Sequence, residues 1–373
     1  MTTNSSTQIL EIAVLPGDGI GPEVMSAALE LLNAVHATCG GRALHCTTYD
    51  AGAQFYERSG VALPEATLEA CAKSHAMLFG AMGWPDVRNT DGTEIMPQLE
   101  LRMAFSLYAG VRPIRWFPGL SAVLADERAR HMDFVLIREQ TEGLFYARGR
   151  GRIENDSEAY DTMQITRAGT SRVSEFAFRL AERRSARRKF SLVTCVDKAN
   201  VFTSMAFFRK IFDEAAARHP QIPADHCYVD AMALNMIRKP WDLDVMVMEN
   251  MYGDILSDMG AGLIGGLGMA PSGDIGDDHG LFQPVHGSAP DIAGQGKANP
   301  CAMFLSAAMM LDWLADRHNE PQLEVSARVI EKAIEIALTS GGAVPMEYGG
   351  KAGTAALTAA VIAALPEALR RMA

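Results

Sequence analysis

At 373 residues the chain is long for one core and suits two domains of ordinary size. With 48% apolar and 21% charged residues it groups with soluble globular proteins, which excludes the disordered and membrane classes. A formal charge of −11 argues against nonspecific nucleic-acid binding, and no apolar run approaches the roughly 18–20 residues of a membrane span.

The opening MTTNSSTQ lacks the basic and apolar regions of a secretory signal, so a cytoplasmic location is expected. Six cysteines (Cys39, Cys46, Cys71, Cys195, Cys227, Cys301) occur without a C-x-x-C pair, which reads as reduced thiols rather than a disulfide frame or zinc site. Ile9 to Pro16 is a short branched apolar run, a buried strand of a parallel sheet. Gly17-Asp18-Gly19-Ile20-Gly21-Pro22-Glu23 follows, and Pro22 suits the first turn of a helix running to about Ala37. The glycines are spaced G-x-G-x-G. The G-x-G-x-x-G geometry that sets a helix N-terminus against pyrophosphate is absent, so a Rossmann fold is rejected.

Ala76 to Gly83 reads as a second buried strand ending in a glycine turn. A polar loop to about Glu94 leads into the helical stretch PQLELRMAFSLYAGVRP, which carries Arg102 and Arg112; its GVRP ending halts the helix first. A further strand, FVLIREQTEG, ends near Arg138. The basic clusters, Ala147 to Arg152 and Arg183-Arg184 with Arg187-Arg188-Lys189, read as a solvated loop and helix end beside a net negative chain. Lys189 to Val196 is a strand delivering Asp197-Lys198-Ala199-Asn200 to its C-terminal end, and a helix from Phe202 to Arg218 follows.

The most informative stretch runs from Glu249 to Pro300. Asp254 and Asp258 sit four apart, so on a helix both carboxylates project from one face and can grip one hard cation. A glycine-dense run, a short acidic link and the turn-rich His286-Gly287-Ser288-Ala289-Pro290-Asp291 come next, a loop suited to a ligand's phosphate and sugar. The chain closes with helices over roughly Pro300 to Arg317, Val325 to Thr339 and Thr354 to Met372, the last tolerating or kinking at Pro366.

GDILSD followed by LFQPVHGSAPDIAGQGKANP, with LPGDGIGPEV near the start, resembles the signature of the β-decarboxylating dehydrogenases. These are the isocitrate/isopropylmalate dehydrogenase family, which also holds homoisocitrate and tartrate/malate enzymes. The resemblance covers nearly the whole chain. It implies an α/β, two-domain isopropylmalate-dehydrogenase-like fold with parallel and mixed sheets flanked by helices. Residues 1–107 and 265–373 would form a discontinuous cofactor-binding domain, and 108–264 a central substrate, metal and dimerisation domain with a strand-adding arm at about 150 to 165.

By resemblance, Arg102, Arg112 and Arg138 bind substrate carboxylates, a task suited to the bidentate guanidinium fork, and Gln98 meets the variable substituent. Three arginines imply a di- or tricarboxylate. A glutamine disfavours an isopropyl group there, by about 1–3 kcal/mol for an unsatisfied amide. Asp254 and Asp258, with Asp230 from a partner chain, hold Mg²⁺ or Mn²⁺; Lys198 is the base, and it too reaches across a homodimer. NAD lies on His286, Gly287, Ser288, Ala289, Asp291, Asn299 and Asn200, with the Asp291 carboxylate repelling the 2′-phosphate of NADP. Two departures stand out. Gln283 occupies a position where many members have glutamate, and the catalytic tyrosine position is Phe145, with Tyr146 one step later. In a strand that shift sends the hydroxyl to the opposite face. A bulge restores it, or the acid is missing and the chain oxidises without completing decarboxylation, or serves as a regulatory or binding member.

Overall fold

The computed structural model describes residues 9–188, 190–339 and 342–372; the opening MTTNSSTQ and Lys189 of the second basic cluster lie outside them. The strands in chain order are β1 (Leu10–Gly17), β2 (Leu44–Thr48), β3 (Ala76–Ala81), β4 (Ala109–Arg115), β5 (Asp133–Glu139), β6 (Arg152–Glu154), β7 (Glu158–Tyr160), β8 (Val193–Asp197), β9 (Ala224–Tyr228), β10 (Val245–Met248), β11 (Pro271–Ile275) and β12 (Gly280–Pro284). The helices are α1 (Gly21–Cys39), α2 (Ala53–Ser59), α3 (Glu65–Lys73), α4 (Pro97–Ala104), α5 (Arg167–Ser185), α6 (Thr203–Ala216), α7 (Val229–Arg238), α8 (Asn250–Leu263), α9 (Cys301–His318), α10 (Pro321–Thr339) and α11 (Thr354–Met372).

Ten strands make one mixed sheet in the order β2-β1-β3-β12-β11-β4-β5-β10-β8-β9, with helices on its faces. Both flanks are parallel, and the ladders β12–β11, β11–β4 and β4–β5 at its centre are antiparallel. Parallel flanks need cover on both sides, which is why β3 is buried along its whole length and reads as an unbroken apolar run. The core continues through α9, whose Phe304, Met303 and Leu314 are inaccessible; burying one such side chain is worth roughly 1.5–3 kcal/mol. Pro366 sits inside α11, which continues through it to Met372. Among the described residues, no helix is long and apolar enough to cross a membrane.

Local pattern placed β1, β3, β5 and the closing helices within a few residues of where they stand. It missed β11 and β12, read as an acidic link and a loop, because PSGDI and GLFQP are poor in β-formers and become strands only by pairing with β4 and β3. The stretch expected as an arm contains an exposed hairpin, β6–β7, with Ile153 at its surface.

Asp18 anchors the first glycine loop. Its buried carboxylate accepts from the backbone nitrogens of Ala53, Gln54 and Gly83, each at 2.8 Å, tying the end of β3 to the start of α2. Gly19, at φ +59°, lies where a Cβ would fall 2.0 Å from the Ser288 carbonyl, so the loop abuts the His286–Asp291 turn.

Just beyond α6, His219 is held between Glu182 (Nδ1, 2.8 Å) and Glu175 (Nε2, 2.8 Å) of α5, its ring stacked on Phe178. Burial alone would depress this imidazole, but the two carboxylates overcome it and raise its pKa. A raised histidine stabilises the fold fully below its unfolded pKa of about 6.5 and loses that contribution as pH rises through the folded value. Urea unfolding at about pH 6 and pH 9 is therefore expected to show a stability loss in the native chain that is smaller in His219→Gln.

Candidate active site

The site is organised by the start of α8. Glu249 is inaccessible and caps the helix, accepting from the backbone nitrogens of Tyr252 (2.8 Å) and Met251 (3.1 Å); burial raises its carboxyl despite these bonds. Asn250 follows. Its Oδ1 accepts from Arg138 Nε (2.9 Å) and Nη2 (2.7 Å), and its Nδ2 donates to the Glu142 carbonyl at 3.1 Å. Gly253, one turn on, lies so close to β5 that a Cβ would fall 2.6 Å from Cβ and Cγ of Arg138. These two neighbours aim the Arg138 guanidinium along α8, where Nη1 pairs with Asp254.

Asp254 and Asp258 lie one turn apart on α8 and line the same cavity, of about 260 Å³. Burial, then the neighbouring Asp254, raises the Asp258 carboxyl, while Arg112 and Arg138 act against that. The donor set is all oxygen, as a hard divalent cation requires. Among the described residues, however, no group of three His, Cys, Asp or Glu side chains comes together in one chain to hold a metal.

The opposite wall carries Arg102 from α4 and Arg112 from β4. All three arginines are more than nine-tenths buried. Burial depresses Arg138 to about 10, and Arg112 below its usual range, yet both stay charged at neutral pH. Arg102 Nε donates to Asp274 Oδ2 at 2.8 Å and Arg112 Nη1 to Asp274 Oδ1 at 3.2 Å. Asp274, on β11, is inaccessible. Burial would raise its carboxyl, but the two guanidiniums hold it down at about 2. Gln283 Nε2, in the position where many members of the resembled family have glutamate, donates to Asp274 Oδ2 at 3.1 Å; a carboxylate there would face another carboxylate.

Gln98, Phe145, Ser272, His286 and Gly287 also line the cavity. Three of these hold buried polar atoms with no protein partner: Gln98 Oε1, Ser272 Oγ and His286 Nε2. Burial lowers the pKa of His286. Such orphaned atoms are costly unless a ligand or water satisfies them. A larger and more open hollow of about 650 Å³ runs along α6 past Arg209, Lys210, Asp213 and Glu214, and contains none of the anticipated site residues.

The remaining anticipated residues do not line the cavity of their own chain. Lys198 follows β8, and its Nζ donates to Asp230 Oδ1 on α7 at 2.7 Å, which lowers the Asp230 carboxyl. Asn200 and Asp291 are exposed, and Ser288 and Ala289 belong to the turn beside Gly19. Asn299 is tied into the fold, donating to Glu347 at 3.1 Å and accepting from the Cys301 nitrogen at 3.1 Å. The face argument for Phe145 and Tyr146 assumed a strand, and Leu144–Ala147 is a 3-10 turn. There is no bulge to bring Tyr146 into line. Phe145 lines the cavity with its ring 5.1 Å from Arg138, while the Tyr146 ring lies under Arg150 at 3.9 Å. Asp274, Asn250 and Gly253 were not anticipated. A helix-capping signal at Glu249 points toward Asn250, whereas nothing local marks Asp274.

Comparison with known proteins places this geometry. Residues 11–364 match the model of a family described as isocitrate/isopropylmalate dehydrogenase. A 3-isopropylmalate dehydrogenase of Methanothermobacter thermautotrophicus is 42% identical over 94% of this chain and 97% of its own length. A 3-isopropylmalate/3-methylmalate dehydrogenase of Methanocaldococcus jannaschii is 40% identical over 92% and 95%. The crystal structure of an isocitrate dehydrogenase from Methylococcus capsulatus superposes with a TM-score of 0.81 at 36% identity, covering 96% of this chain and 99% of that one.

The contact between Gly253 and Arg138 yields a test. Gly253→Ala is expected to push Arg138 off Asn250 and destabilise the fold by about 1–3 kcal/mol, the range for overpacking, measured as a shift in the urea midpoint.

Proposed function

The chain belongs to the isocitrate/isopropylmalate dehydrogenase family, and from that membership we propose that it catalyses the NAD- and divalent-metal-dependent oxidative decarboxylation of a 3-substituted malate to a 2-keto acid. The observation that carries this reading is a cavity with three buried arginines on its walls and two carboxylates on one helical face.

Asp254 and Asp258, with Asp230 of a second chain, would hold Mg²⁺ or Mn²⁺, and the His286–Asp291 turn with Asn200 and Asn299 would hold NAD. When bound, the metal supplies Lewis-acid polarisation of the substrate oxygen and the nicotinamide accepts hydride. Arg102, Arg112 and Arg138 grip the substrate carboxylates and fix the plane in which the C3–carboxylate bond breaks. Lys198 Nζ takes the hydroxyl proton. Because Lys198 and Asp230 do not line their own chain's cavity, a homodimer with shared sites is part of the proposal. The domain division at 107/108 and 264/265 is retained with it, its seam falling at the β11–β4 ladder, and so is a cytoplasmic location.

Gln98 sets the substituent. Its unpartnered Oε1 favours a polar or small C3 group over isopropyl, and the exposed Asp291 carboxylate favours NAD over NADP. The placement of Phe145 supports a second reading, oxidation that stops before decarboxylation is complete. When the C3–carboxylate bond breaks, the electron pair left on C3 needs a proton that a phenyl ring cannot give, so the enolate recaptures the carbon dioxide and the oxidised, undecarboxylated acid accumulates.

NADH formation with Mn²⁺, assayed against isopropylmalate, isocitrate, homoisocitrate, malate and tartrate with carbon dioxide measured in parallel, tests both. NADH and carbon dioxide in equal amounts are expected, and Lys198→Met should lower kcat by about 10²–10⁴-fold. NADH without carbon dioxide establishes the second reading, with Phe145→Tyr expected to restore the gas. No NADH with any acid would leave only a binding role.

A further inference from the structure

Asp274 plays no part in the chemistry above, yet it is inaccessible and pairs with two of the three arginines of the cavity wall. The sheet register sets it in one row with Gly110 of β4 and Arg138 of β5. Its oxygens take three bonds, from Arg102 Nε, Arg112 Nη1 and Gln283 Nε2. These bonds use one nitrogen of each guanidinium. Among the described residues, no protein acceptor takes the terminal nitrogens of Arg102 or Nη2 of Arg112, so each fork still has donors for a ligand while half its charge is answered from behind.

We propose that Asp274 sets the charge of the substrate: by neutralising one of the three guanidinium charges, it fits the cavity to a dicarboxylate and turns away a tricarboxylate. The inference deepens the proposed function and rests on it for the identity of the site. With Asp254 and Asp258 committed to the cation of the proposed function, Asp274 is the one carboxylate left against three guanidiniums, which leaves two positive charges for the ligand. A third ligand carboxylate would be desolvated with no cation to answer it. Gln283 strengthens the arrangement because its amide satisfies Asp274 without adding charge. The orphaned Gln98 Oε1 and Ser272 Oγ point the same way, since both accept from a neutral donor such as a hydroxyl and neither supplies a cation for a carboxylate.

The test uses two non-reacting anions, succinate and tricarballylate, titrated calorimetrically into the full chain with saturating Mg²⁺ in cell and syringe, at low ionic strength and about pH 7.5, where all their carboxyl groups are ionised. The native chain is expected to bind succinate more tightly. Asp274→Asn, checked by its thermal transition to be folded, should shift the ratio of the two affinities toward tricarballylate by about tenfold or more. Tighter binding of tricarballylate by the native chain would overturn the proposal, and so would an unchanged ratio in the folded variant. The native arm decides even if the variant does not fold. Because neither anion reacts, the result stands apart from NADH formation, whose absence would count against the function and not against Asp274.

Discussion

Burying three guanidiniums in one small cavity is the constraint on which the rest of this structure depends. Each loses water that a low-dielectric wall does not replace, and the three repel one another. The fold answers with acceptors placed from several directions: Asp274 behind Arg102 and Arg112, Asn250 and Asp254 along Arg138. The guanidiniums are thereby kept from collapsing onto their counterions, since Arg102 and Arg112 keep part of their donor sets unused.

The reversal at the centre of the sheet makes this possible. Antiparallel pairing of β11, β4 and β5 brings Asp274, Arg112 and Arg138 to neighbouring strands. The end of β3 and the turn after β12 close the far side, and α8, capped by Glu249, lays its acidic face along the remaining one. An all-parallel sheet with the same residues would have to bring Asp274 in through a long crossover. Here β11 enters directly beside β4.

The same packing accounts for the aromatic pair at 145 and 146. A 3-10 turn has no alternation of faces, so the one-residue displacement of the tyrosine is not undone by a local slip. The phenyl ring of Phe145 lies over Arg138 and covers part of its charge, while the Tyr146 hydroxyl is carried away under Arg150. In the proposed function, proton supply at C3 is thus the step for which Phe145 offers no donor.

Much of the site was legible without coordinates because its parts are short-range. The spacing of Asp254 and Asp258 needs only a helix, the ends of β3 and β5 need only an apolar run, and the glycine loop with HGSAPD needs only turn chemistry. Even the rejection of a Rossmann fold required no more than counting residues between glycines. What no local pattern contains is the partner of each charge. Arg102 and Asp274 are 172 positions apart, and Arg138 and Asn250 are 112 apart. PSGDI carries no strand signal until β4 and β12 pair with it. Sequence alone therefore determined which groups are present and which face of a short element they share, since these depend on backbone period. Only the tertiary structure decided which charges cancel, because that depends on distances set when remote strands come together and exclude water.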